Sequence, residues 1–403
     1  GVDLGNHAVL APPHVGALKE AEAYEKCVER DVEWQFVTAP SEFPQQWPCV
    51  LDPCNIVLQN GKPRLTIDKT MWISKRADMP PANLLINLIA EAERAGRLKL
   101  VTVGQVARAA AILKSPLKVF AHLRSKDPKK RAQLKMKKHD LKAFFRFHPK
   151  QRAHVREQGK VIKGGFSLDL RVNFGERNAP DHTCRESDAL AFFSRRELAR
   201  LDKEYPTVVP ELKAFLAHRR GLLPEGKGMA AIEFTLDVLF FLCYYVDDCG
   251  LLTYDDELVD MSGNPVIVFE TAADSTSMSK PQRRIDMYGE AVVEIAKYIG
   301  HQCPGDKRDE GSDLIFLGIT LALQSERRIL PRVKALGYKS IAERCIAGRR
   351  RMPNGLAVNE YDTVNSLVHR LLHASEVVPL GKQHTFHLRQ ALKAARDVTI
   401  SKS

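Results

Sequence analysis

The chain has 403 residues, of which 44% are hydrophobic and 27% charged, and carries a formal net charge of +12. That length allows two or three domains with their own cores, and the ordinary apolar fraction excludes a disordered or fibrous chain. The basic balance suggests a polyanionic partner, while no apolar run reaches the roughly 18–20 residues of a membrane span, so no membrane partner is expected. The eight cysteines form no CxxC pair and no Cys/His cluster at zinc spacing, which points to reduced thiols and an intracellular setting, cytoplasm or nucleus. The first residue is Gly1 rather than Met, so the chain is read as a segment of a longer protein and targeting signals are left aside.

Residues 1–50 show little pattern beyond a helix predicted near 17–30 and a Pro-rich connection. They are read as an N-terminal extension with an edge or supporting role. Residues 54–59 and 62–67 are β-prone and flank Asn60-Gly61, a pair that tolerates positive φ and favours a two-residue hairpin turn. Lys62 and Arg64 on the second strand supply cations, and the planar fork of arginine suits phosphate. A helix is predicted over 83–114, with Leu84, Leu85, Leu88, Ile89 and Ala92 on one face. Between 108 and 160 there are 17 Lys or Arg against 3 Asp or Glu. Such a block tracks a phosphate backbone or forms a solvated face. It leads into Asp140, which is followed by Leu141 and, five residues on, by the aromatic Phe145.

Residues 166–172 alternate like a strand and deliver the turn Asn173-Phe174-Gly175, where glycine allows close backbone approach. Ala179-Pro180 opens a helix, with proline at an early position where its missing N–H costs nothing. The charged stretch 195–204 suggests an inserted helical hairpin over 191–230. An apolar run from 234 then ends at Tyr245-Val246-Asp247-Asp248 and resumes at Cys249. Paired carboxylates in a tight turn between two apolar strands suit a hard divalent cation, Mg²⁺ or Mn²⁺. A two-metal centre holds its ions about 3.5–4 Å apart and needs a carboxylate from a second element; Asp140 is the partner chosen. The nearby Tyr254-Asp255-Asp256 lacks the same spacing and is placed at a strand end. Residues 260–284 read as a flexible loop, and 285–299 as a helix with Ile285, Tyr288, Val292, Ile295 and Ala296 on its core stripe. Lys307 lies in a loop, Leu314 to Thr320 read as strand and turn, and helices dominate from 331 onward, including 359–377.

In this order, Asp140 to Phe145, Arg171 to Pro180, Tyr245-Val246-Asp247-Asp248 and Phe316-Leu317-Gly318 resemble the motifs of reverse transcriptases. The match is nearest to DIRS-like retrotransposons that carry tyrosine recombinases, and Tyr361 to Pro379 looks like the helical segment that follows the palm there. The resemblance runs from about residue 50 to 395. It implies an α+β right-hand polymerase fold, with an antiparallel palm sheet, packed helices and a helical thumb. The N-terminal extension (1–50) would precede fingers at 51–134. The palm would span 135–330, with a fingers portion at 150–175 and the insert at 191–230, and the thumb 331–403.

The implied activity is RNA-directed DNA synthesis, with dNTPs added to a primer on an RNA/DNA template-primer duplex. Asp140, Asp247 and Asp248 would form the Mg²⁺ (or Mn²⁺) centre, Asp248 in a supporting role, with the Leu141 carbonyl assisting. Lys62, Arg64, Leu141, Phe145, Phe174 and Gly175 would bind the nucleotide, the Phe145 ring leaving no room for a 2′-hydroxyl. Tyr245, Phe316, Leu317 and Gly318 would face the primer, and Lys307 would protonate the leaving pyrophosphate. RNase H and recombinase domains would lie outside this chain. Asn173, Glu176 and Thr183 depart from the family pattern, and Glu176, Thr183 and the long insert motivate an alternative: a nucleic-acid-binding protein of the same fold without polymerase activity. An RNA polymerase of similar palm geometry is a third reading, against which Phe145 argues.

Overall fold

The structure, a computed structural model, describes residues 9–10, 13–43, 50–59, 62–67, 100–127, 131–150, 152, 155, 159–162, 165–172, 179–221, 239–271, 277–347, 350–351, 357–358, 361–378, 383, 385–386 and 389–390. Helices and sheets are mixed. The first strands, β1 (Val9–Leu10) and β2 (Val50–Leu51), bracket α1 (Val15–Lys19) and α2 (Ala21–Glu33). A hairpin follows, β3 (Cys54–Gln59) and β4 (Lys62–Ile67), with Gln59 opposite Lys62 as a two-residue loop requires. Its Asn60-Gly61 connection lies outside the described residues. Ala17, Tyr24, Cys27 and Val28 of the two helices bury Ile56, Leu65 and Ile67 of the hairpin.

Helix α3 spans Val103–Val119. It begins with a capping box: Gln105 N donates to the Thr102 hydroxyl at 3.2 Å, and Thr102 N donates to the Gln105 side chain at 2.8 Å. The expected single helix over 83–114 is therefore corrected, because a fresh start at 103 carries the chain beyond 114; residues 83–99 lie outside the described residues.

The central sheet is antiparallel and four-stranded. It is built from β5 (Leu134–Asp140), β8 (Phe240–Tyr245), β9 (Asp248–Tyr254) and β12 (Arg308–Gly311), in the order β12-β5-β9-β8. Between β5 and β8 run β6 (Gly159–Ile162), β7 (Gly165–Leu168), α4 (Ala179–Glu204) and α5 (Pro210–Gly221). Between β9 and β12 run β10 (Ile267–Thr271), β11 (Ser277–Pro281) and α6 (Arg284–Tyr298).

Period-two alternation along the central strands feeds two cores. Phe240, Leu242, Tyr244, Cys249 and Leu251 face Leu190 and Leu198 of α4 and Ile285, Tyr288 and Val292 of α6. Leu134, Met136, Cys243, Leu252 and Tyr254 face Val106 and Leu113 of α3. The second core also takes Leu314 and Phe316 of β13 (Asp313–Phe316) and Ile319 of β14 (Ile319–Ala322). Each large side chain so buried contributes about 1.5–3 kcal/mol. At Gly250 the backbone passes so close that an added Cβ would lie 2.9 Å from Met136 Cε and 3.0 Å from the Phe316 ring.

One further expectation is corrected, that of a loop over 260–284. The segment 191–204 forms the second half of the 26-residue helix α4. Thr183, Ser187, Leu190, Ala191, Ser194, Leu198 and Leu201 form one uninterrupted buried stripe along it. Among the described residues α5 follows as a second helix, and 222–230 lie outside them. The expected loop over 260–284 holds the β10–β11 hairpin, with Ile267 opposite Pro281. Before the hairpin lies an Asp260 turn whose carboxylate accepts from Ser262 N at 2.8 Å and Asn264 N at 2.9 Å, and 272–276 lie outside the described residues.

Beyond β14, β15 (Arg327–Ile329) completes a three-stranded sheet. Helices α7 (Arg332–Ala347) and α8 (Tyr361–Ala374) pack through Ile341, Cys345 and Leu367. Cys27, Cys54, Cys243, Cys249 and Cys303 are free, buried thiols. Among the described residues no helix is long and apolar enough to cross a membrane.

Candidate active site

The register of β8 and β9 sets Tyr245 opposite Asp248, so Val246-Asp247 is a two-residue turn. Val246 takes φ 58°, the left-handed region that hairpin turns of this kind reserve for glycine. For a β-branched residue this conformation costs about 1–3 kcal/mol and persists only where its surroundings enforce it. Two contacts do so. The Ser187 hydroxyl of α4 donates to the Val246 carbonyl at 2.6 Å, and Leu141 N donates to the Asp247 carbonyl at 3.1 Å.

Across the next pair, Asp140 at the end of β5 stands opposite Asp248. Side chains so opposed share one sheet face with β-carbons about 4.5–5.5 Å apart. Three carboxylates thus cluster where three strand ends meet. Burial, then repulsion from Asp248 and Asp140, pushes the Asp247 carboxyl up to about 6. Two lysines offset the remaining charge: Lys307 Nζ lies 2.7 Å from Asp140 Oδ2, and Lys138 Nζ 3.2 Å from Asp248 Oδ1.

A cavity of about 220 Å³ opens beside these groups. It gathers Asp140, Leu141, Phe145 and Asp247 with Lys62 and Arg64 of β4 and with Lys307. Asp248 is not in its wall. Tyr245 is half-buried on the same hairpin. Phe316 is wholly buried under Gly250, so its ring supports the adjoining turn from within and the backbone of Leu317-Gly318 is what the turn presents. Both turn residues have positive φ, 49° and 76°. The Leu317 carbonyl accepts from His373 Nε2 of α8 at 2.8 Å, which joins this turn to the C-terminal helices. Asn173, Phe174, Gly175 and Glu176 lie outside the described residues.

The donor chemistry could suit Mg²⁺: hard carboxylate oxygens, one with its acidity suppressed by burial and then by its neighbours, in a charge imbalance that a divalent cation would relieve. Asp140 and Asp247 are the ligands it would take. Among the described residues no group of three or more His, Cys, Asp or Glu is disposed to hold a metal ion, so the fit rests on these two with Asp248 behind them.

The N-terminal segment contributes more than expected. Arg30 and Asp31 of α2, with Trp34 and Phe36 just after it, form one wall of the same cavity. Asp31 is 3% exposed and reaches Arg146 Nη2 at 3.1 Å. Arg146 Nη2 also meets Asp169 Oδ1 at 3.1 Å, which Lys160 Nζ approaches at 3.2 Å. Burial alone would raise the Asp169 carboxyl, but the Lys160 ammonium and the Arg146 guanidinium hold it down at about 2. The sequence signal for this network is a carboxylate on an apolar stripe: Asp31 continues the buried series Tyr24, Cys27 and Val28.

No protein-family model matches the chain, and no curated protein matches it. Among solved structures it is similar to a foamy viral protease-reverse transcriptase in complex with double-stranded DNA, at 13% identity and a TM-score of 0.44, covering 96% of this chain and 46% of that one. A foamy viral protease-reverse transcriptase with an RNA/DNA hybrid gives 11% identity and a TM-score of 0.45, covering 98% of this chain and 36% of that one. A third, in complex with dsDNA, gives 15% identity and a TM-score of 0.38, covering 98% of this chain and 62% of that one. The chain thus spans less than two thirds of each of these proteins.

Proposed function

We propose that this protein is an RNA-directed DNA polymerase of a DIRS-type retroelement. The carrying observation is the strand register that sets Asp140 opposite Asp248, with Asp247 in the adjoining turn, at the mouth of a cavity lined by Lys62, Arg64 and Lys307. In this reading the four-stranded sheet is the palm, the β3–β4 hairpin belongs to the fingers, and α7 and α8 form the thumb. Lys62 and Arg64 would take the triphosphate of an incoming dNTP. Two Mg²⁺ ions, when bound by Asp140 and Asp247, would supply a lowered pKa for the primer 3′-hydroxyl and neutralise the charge developing on the phosphates. Lys307, 2.7 Å from Asp140, would swing from that carboxylate to protonate the departing pyrophosphate. The Phe145 ring would lie under the sugar and exclude a 2′-hydroxyl.

A second reading, a duplex-binding protein without polymerase activity, draws on the lysines that already occupy Asp140 and Asp248. Primer extension on an RNA template with dNTPs and Mg²⁺ or Mn²⁺ separates the two. Extension by wild type and none by Asp247→Asn supports the polymerase; extension by neither, with duplex binding intact, supports the binder.

A further inference from the structure

Phe145 sits on a short 3₁₀ turn, Phe144–Phe147, entered through Ala143 in the left-handed region at φ 53°. The ring of Phe144 is locked in the core at 1% exposure, and Phe145 lines the cavity beside Asp140 and Asp247. The next side chain, Arg146, is 5% exposed and ends among buried charges. Besides Asp31 and Asp169 it donates to the Val172 carbonyl, Nη1 at 3.2 Å. The two carboxylates balance two cations, Arg146 and Lys160, and the four come from separate segments: α2, the 3₁₀ turn, β6 and the residue after β7. Buried ion networks of this kind add little net stability, since desolvation offsets attraction, yet they penalise any displacement of a partner. Asp31 has a second tie. Its other oxygen, Oδ1, accepts from Arg30 Nη2 at 3.2 Å, and Arg30 stands in the wall of the same cavity.

Resting on the polymerase reading above, we propose that Asp31 is a positioning residue for sugar selection. Its carboxylate, acting through Arg146, fixes the 3₁₀ turn so that the Phe145 ring keeps its place under the nucleotide sugar. Helix α2, outside every motif of the polymerase reading, thereby sets the discrimination between deoxyribo- and ribonucleotides. A gate of this kind works by steric exclusion of a single hydroxyl, so a displacement of the ring by about 1 Å is enough to matter. A short turn secured on one side by the Phe144 ring and on the other by Arg146 can hold that tolerance. With one carboxylate of the network neutralised, the turn can rock and the ring can yield.

The test compares kcat/KM for a dNTP and the matching ribonucleotide, on an RNA template, for wild type, Asp31→Asn, Phe145→Ala and the double variant. Asp31→Asn keeps the side-chain volume, and Asp169 still compensates Arg146. The expected result is a fall in the deoxy-to-ribo ratio of at least about tenfold, the scale on which small misplacements from a remote change act, and this fall comes from a rise in ribonucleotide incorporation. General structural damage would lower both substrates together. In the double variant the ratio should match that of Phe145→Ala alone, because the ring through which Asp31 acts is gone. Asp31→Glu, which restores the charge, should recover part of the ratio. An active Asp31→Asn with wild-type discrimination overturns the proposal. Should Asp31→Asn fail to fold, Arg146→Lys, which keeps the charge and loses the fork, is judged by the same ratio. Wild type that extends with no dNTP overturns the polymerase reading and this proposal with it, an outcome distinct from the loss of the proposal alone.

Discussion

Leu141 N donates to the carbonyl of Asp247 at 3.1 Å, so the residue after Asp140 is tied to the turn that carries the second carboxylate. The bond closes the end of β5 onto the β8–β9 turn and makes the two carboxylates one rigid unit. Its counterpart on the other side of the turn is the Ser187 hydroxyl on the Val246 carbonyl at 2.6 Å. Together these bonds hold Val246 at φ 58°.

Removing the outer bond tests how far the turn depends on it. Ser187→Ala should cost about 1 kcal/mol in urea unfolding, the usual scale for one hydrogen bond. It should also lower nucleotide incorporation by more than the stability loss explains. Full activity in a destabilised Ser187→Ala would show that the turn holds its shape unaided.

Phe145→Ala should admit ribonucleotides, because the ring half-buried in the cavity wall is what would meet a 2′-hydroxyl. Incorporation of single ribonucleotides on a fixed template reads this directly. An active variant with unchanged sugar preference would remove the steric argument.

Gly250→Ala should destabilise the central sheet by about 1–3 kcal/mol, as overpacking of a filled core does. The new methyl would meet Met136 Cε at 2.9 Å and the Phe316 ring at 3.0 Å. The methionine end can move, but the ring is enclosed. Chemical denaturation followed by circular dichroism measures the loss, and an unchanged midpoint would contradict the packing described for Phe316.

Acid should destabilise the protein through two carboxylates. Burial opposes ionisation of Glu186, yet hydrogen bonds from His148 and His301, at 2.9 and 2.5 Å, hold it down from 4.5 to about 2. Asp169 is held down from 3.8 to about 2, against its own burial, by Lys160 and Arg146. A carboxylate depressed in the folded state stabilises it fully above the unfolded value, and that stability is lost as pH falls through the folded one. The window is therefore about pH 4.5 down to 2 for Glu186. Glu186→Gln should show a shallower loss of stability across this window than wild type; equal slopes would mean the histidine contacts add nothing.

Much of the central hairpin was legible in the sequence, because two apolar runs flanked a pair of residues; which side chain faces which core was not, since both strands are apolar on both faces. The β3–β4 hairpin was legible through Asn60-Gly61 between two β-prone runs. Asp140 could be nominated only by its place in a motif order; the register opposite Asp248 is a long-range fact. The Asp31–Arg146 contact spans 115 residues and leaves only the trace of a carboxylate on an apolar stripe. The β10–β11 hairpin escaped because Ser277, Ser279 and Lys280 give no alternating pattern, and Ser and Lys are common in loops. The continuity of α4 was hidden by the surface charges at Arg195, Arg196 and Glu197, although Leu190, Ser194, Leu198 and Leu201 carry the helical period through.

The most direct measurement is single-nucleotide incorporation into a primer on an RNA template, under single-turnover conditions, with duplex affinity measured in parallel. Wild type would be compared with Asp140→Asn, Asp247→Asn and Asp248→Asn. A two-carboxylate centre predicts that the first two lose incorporation while binding duplex as wild type does, and that Asp248→Asn, outside the cavity wall and held by Lys138, retains a part of it. Incorporation undiminished in Asp140→Asn or Asp247→Asn would contradict the assignment.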